Sequence, residues 1–135
     1  MDKSETYIKM CKKAEEIQGH NFDDGDWSVE DNGFIWVVCT RDFGEWWIGN
    51  EVQEFYKTAI WLPRIDQLQE MAFSYYSEIE GDLYSLHTFF NDFIEAYYWH
   101  NEYPCEIFKS FEQLWLVYVM KLKGKIWNAE ELDFE

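Results

Sequence analysis

Positive charge is scarce in this chain. Eleven lysines and arginines face 27 aspartates and glutamates across 135 residues, for a formal net charge of -16, and the arginines are Arg41 and Arg64 alone. A surface of that sign repels phosphate backbones, which argues against direct nucleic-acid binding and favours a basic protein partner. Cysteine is sparse as well. Cys11, Cys39 and Cys105 stand apart in the chain, with no C-x-x-C or Cys–His spacing. That pattern supports neither a metal knuckle nor a redox pair, so no metal and no cofactor is expected, and reduced thiols are the simplest reading. Long apolar runs are missing too. The longest, "LWLVYVM" at 114–120, is too short to span a bilayer, and "MDKSETYIKM" is polar where a leader would be apolar, so neither a membrane nor an export route is expected. No P-loop, dinucleotide fingerprint, G-x-S-x-G or H-E-x-x-H occurs. Asp42-Phe43-Gly44 matches a kinase triplet by letters only, without the motifs that must accompany it.

Aromatic side chains, by contrast, are abundant. They make up 21% of the chain, with eight tryptophans. A core of this size cannot seal eight indoles, each with an N–H to satisfy, so some aromatic surface is expected, and exposed aromatics mark contact sites. The length suits one domain, 1–135, with an acidic tail at 129–135 expected to fray.

The residue pattern predicts an α+β fold, about four helices packed on a small antiparallel sheet of three to four strands. The first helix is expected over Asp2–Gln18. Tyr7, Met10, Cys11, Ala14 and Ile17 form its apolar stripe, Asp2 and Glu5 a capping box, and Gly19 the C-terminal cap. "HNFDDGDW" reads as an acidic turn. Its carboxylates fail the calcium-loop order, because the twelfth position counted from Asp23 is Phe34. Asn32-Gly33 predicts a two-residue hairpin turn, followed by a strand apolar on both faces and hence central. A further strand is expected over Tyr56–Leu62. Pro63 fits the first turn of the next helix, which is buried through Ile65, Leu68, Met71, Ala72 and Tyr75. A third helix is expected over Leu83–His100 behind Asp82. A fourth, over 111–123, starts at the capping box "SFEQ", faces inward through Leu114, Trp115, Tyr118 and Leu122, and ends at Gly124.

Three segments, "YIKMCKKAEEIQ" (7–18), "WLPRIDQLQEM" (61–71) and "SFEQLWLVYVMKLKGKIWNAEE" (110–131), together resemble a family of small uncharacterised proteins encoded by bacteriophages and prophages, mostly of Firmicutes. The resemblance covers about a third of the chain. Ile65 stands where the family usually carries a polar residue, and residues 73–109 lie outside the match. It implies a phage origin and the cytoplasm of a bacterial host, without a mechanism. It also raises the expectation of a host-directed inhibitor, of host defence in the anti-CRISPR manner or of a nucleic-acid enzyme.

The expected function follows from the two compositional outliers. Carboxylates steer and aromatics anchor, so the chain reads as a non-enzymatic protein that binds and inhibits a basic host protein, acting as a DNA-mimic-like decoy. The residues expected to meet that partner are Asp23, Asp24, Asp26, Glu30, Asp31, Trp46, Trp47, Glu51, Glu54, Glu78, Glu80, Asp82, Trp99, Glu102 and Glu106. Trp46, Trp47 and Trp99 would serve self-association equally well. One alternative is a sponge that stacks a nucleotide signal on its rings. Another is a small hydrolase built on His87 with Asn91 or His100 with Cys105, or on the paired carboxylates Asp66 and Glu70.

Overall fold

A computed structural model of the chain describes residues 1–19, 21–39, 58–79, 88, 90–91, 94–95 and 108–135. These residues form an α+β arrangement of helices and small antiparallel sheets, divided into two compact units. One unit is Lys3–Arg64; the other joins Met1–Asp2 to Ile65–Glu135.

In the first unit, helix α1 runs over Glu5–Lys13. Its cap is Ser4, whose Oγ accepts the Tyr7 N–H at 3.2 Å; Asp2 does not serve. The helix also stops earlier than expected. Ala14 turns to ψ 63°, and its N–H reaches both Met10 and Cys11 carbonyls. A short 3₁₀ turn, Glu15–Ile17, follows and ends on Gln18 rather than on a left-handed Gly19. The expected stripe survives this break, because Tyr7, Met10, Cys11, Ala14 and Ile17 are all buried.

Strands β1 (Trp27–Val29), β2 (Ile35–Val37) and β3 (Ile60–Leu62) form an antiparallel sheet in the order β2-β1-β3. The central strand is therefore β1. The expectation that Ile35–Val37 is central and covered on both faces is corrected: among the described residues β2 lies at an edge of this sheet, with Trp36 and Val37 exposed. The turn falls at Asn32-Gly33, yet it is longer than two residues. The Gly33 N–H donates to the Glu30 carbonyl at 2.9 Å and the Glu30 N–H to the Phe34 carbonyl at 3.0 Å, with Gly33 at φ 85°. A turn closed by a left-handed residue is the longer hairpin solution, and glycine fits that position.

The outer side of β3 is closed by a side chain. The Gln18 amide accepts the Trp61 N–H at 2.8 Å and donates to the Trp61 carbonyl at 3.1 Å and to the Cys11 carbonyl at 2.9 Å. One glutamine thus stands in for a neighbouring strand and ties α1 to the sheet. The buried Tyr7 hydroxyl donates to the Pro63 carbonyl at 2.6 Å. Pro63 does not open the following helix, which begins two residues later; its carbonyl is a docking point for α1 instead.

In the second unit, α2 (Ile65–Ile79) packs against α3 (Phe111–Leu122). Leu68 and Ala72 are fully buried, whereas Ile65, Met71 and Tyr75 are half-buried. Ser110 caps α3 as expected, accepting the Gln113 N–H at 3.2 Å. Gln113 reaches back past the cap to the Lys109 N–H at 3.0 Å, and both Ser110 and Gln113 donate to the Asp2 carboxylate. Gly124, at φ 85°, follows the helix. Leu114 and Tyr118 are buried, Trp115 and Leu122 only half so, and Leu116, Val117, Val119 and Met120 are buried too. Residues 114–120 are thus covered on nearly every side. The Trp115 ring stacks on Phe90 with centroids 4.0 Å apart.

Asp133–Phe134, inside the segment expected to fray, pairs as β5 with β4 (Trp127–Asn128), and the buried Trp127 and Phe134 rings meet at 4.9 Å. Of the helix expected over Leu83–His100, residues 88, 90, 91, 94 and 95 are helical, and the remainder lies outside the described residues.

Candidate functional site

The sheet edge and the two acidic turns beside it make the candidate site. Phe34, Trp36 and Val37 are 62%, 49% and 44% exposed, large values for three apolar residues so close in sequence. Alternation places Phe34 and Trp36 on one face of the strand and Val37 on the other. The two rings lie 6.2 Å apart, tilted by 43°. The main chain alternates as well. The Phe34 carbonyl is held by Glu30, and the Val38 N–H donates to the Asp26 carbonyl at 2.7 Å, so both positions bond inward toward β1 and its flanks. In an antiparallel ladder the intervening residues then face out, which turns the N–H and C=O groups of Ile35 and Val37 away from β1.

Acids flank this edge at both ends. At the hairpin end, Asp31 is exposed and Glu30 half-buried. Together with Asn32, Thr58 and Ala59 they line an open depression of about 240 Å³. At the other end the 23–26 turn is strapped to the strand by the Gly25 N–H, which donates to the Val38 carbonyl at 2.8 Å. Asp23 and Asp24 are exposed on that turn.

Asp26 was expected among the partner-facing acids, and that expectation is corrected. It is 2% exposed. One carboxylate oxygen accepts the Asp23 N–H at 2.8 Å, and the other lies 3.9 Å from Arg64 Nη1, which itself donates to the Gly25 carbonyl at 2.7 Å. A buried carboxylate needs such partners. Asp26 and Arg64 therefore hold the turn that presents Asp23 and Asp24.

Trp46, Trp47, Glu51, Glu54, Glu80, Asp82, Trp99, Glu102 and Glu106 lie outside the described residues, as do His87, His100 and Cys105. Glu78 falls within α2, and its side chain is likewise outside them. Asp66 and Glu70 are exposed on α2. Among the described residues no three His, Cys, Asp or Glu side chains gather where they could hold a metal ion, and no helix is long and apolar enough to cross a membrane.

Sequence reasoning missed Phe34, Trp36 and Val37, because a strand apolar on both faces reads as interior. The available signal was the acidic run on either side, "DDGD" and "EDNG". Acids so close to a buried central strand would need partners, and the chain has few bases to supply them.

No family model, curated protein or solved structure matches the chain.

Proposed function

We propose that this is a non-enzymatic, acidic phage protein that binds and inhibits a basic protein of its bacterial host, a defence or nucleic-acid enzyme, in the host cytoplasm. The observation that carries the reading is the exposed Phe34–Trp36–Val37 edge with Asp23 and Asp24 at one end and Glu30 and Asp31 at the other. Aromatics in reach of a partner supply anchoring area, and carboxylates around them steer a cationic surface into place. In the decoy form of this reading, those carboxylates occupy positions that the target reserves for phosphates.

The reading is tested by capture from a bacterial lysate at low and high salt, with the wild-type chain and with Trp36→Ala and Glu30→Gln/Asp31→Asn as baits. Capture of a basic protein that is lost at high salt and reduced in both variants supports it. Capture that neither variant alters places the binding surface elsewhere and overturns the assignment. A nucleotide co-purifying with the chain would turn the reading toward a ligand sponge.

A further inference from the structure

Resting on the reading above, we infer that the outer edge of β2 receives an extended lysine- or arginine-bearing segment of the partner as an added strand. Three features point there. The main-chain groups of Ile35 and Val37 face away from β1, and among the described residues no strand lies beyond β2. The two edges of the sheet are also treated differently: β3 is closed by Gln18, whereas β2, though only three residues long, carries neither proline nor lysine, two of the devices that keep an edge unpaired. Lastly, the side chains along β2 suit a strand-like guest. Phe34 and Trp36 offer a ring platform on one face, where alternate apolar or cationic residues can lie.

Charge selects the occupant. The acidic pairs at 23–24 and 30–31 bracket a strand of three residues, a separation on the order of 10–15 Å at about 3.3 Å per residue. An extended segment of about five residues covers that distance, so cations near its two ends meet both acidic turns. A second copy of this chain is disfavoured at the same edge, because each copy carries a net charge of -16.

The test uses the full chain and a labelled, end-capped peptide of about seven residues alternating lysine and valine, long enough to cover the edge. Fluorescence anisotropy compares it with the same peptide N-methylated at every residue, which keeps the charge and removes the N–H donors. The expected result is salt-sensitive binding that N-methylation weakens roughly tenfold or more, since at least two ladder bonds are lost. Val37→Pro should weaken the parent peptide similarly while leaving the far-ultraviolet spectrum unchanged, because proline is tolerated on an edge whose N–H faces outward. Equal binding of the two peptides, or no binding of the parent peptide, overturns strand addition. Sedimentation showing an edge-dependent dimer, abolished by Val37→Pro, overturns the choice of occupant. Lysate capture separates this inference from the reading beneath it. A partner retained by Val37→Pro but lost in Trp36→Ala leaves that reading standing and removes strand addition.

Discussion

Removing the Gln18 side chain should loosen the first unit more than its half-exposed position suggests. In Gln18→Ala three hydrogen bonds disappear: two to the Trp61 main chain and one to the Cys11 carbonyl. Trp61 is only 2% exposed. Its N–H and C=O would be left without the side chain that serves them, at about 1–3 kcal/mol for each group that water does not reach. Water entering the vacated space recovers part of this, and alanine has less side-chain entropy to lose, so the net expectation is about 2–4 kcal/mol. Urea denaturation followed by far-ultraviolet circular dichroism reads the loss directly. With a slope of about 2 kcal/mol/M, the midpoint should fall by about 1–2 M at constant slope. Gln18→Glu separates the bonds. It can still accept the Trp61 N–H, but its carboxylate has no donor for either carbonyl, so it should be nearly as damaging as alanine. A midpoint within about 0.2 M of wild type in both variants would refute the idea that this amide substitutes for a strand.

Leu68→Ala should lower stability by about 2–5 kcal/mol in the same denaturation assay, since Leu68 is fully buried between packed helices. Ser110→Ala should cost about 0.5–2 kcal/mol by calorimetry, because the α3 cap and a hydrogen bond to Asp2 go together. Asp26→Ala and Asp31→Ala should part company. The buried carboxylate should cost about 1–3 kcal/mol in thermal melts, whereas the exposed one should stay within about 0.5 kcal/mol and reveal itself only as weakened partner capture.

Local patterns in the sequence were legible where one principle acted alone. The 3.6-residue stripe from Tyr7 to Ile17 located a buried face, and it held even where the helix tightened into a 3₁₀ turn, because both geometries keep these residues on one side. Ser110 was readable as a cap because its hydroxyl needs only the N–H three residues on. What escaped depended on partners remote in sequence. Nothing near Gln18 announces that its amide will close β3, forty-three residues away. Asp26 looked like its neighbours Asp23 and Asp24, and only the arrival of Arg64 and the turn main chain separates a structural carboxylate from two surface ones. The rank of β2 within the sheet was misread for the same reason. A run of apolar residues records attraction to something, and for Phe34 and Trp36 the sequence alone could not say whether that something is the protein's own core.

The near-complete enclosure of Leu114–Met120 bears on how the chain survives its own synthesis. This stretch is uncharged, free of proline and rich in β-branched and aromatic residues, a composition that self-assembles into stacked sheets when laid bare. In the native state it is locked into a helix with its backbone satisfied internally. During production or after heating, flanking charges such as Glu112, Lys121 and Lys123 act as gatekeepers. Recovery after thermal denaturation should therefore fall as protein concentration rises, because association of the exposed segment is bimolecular.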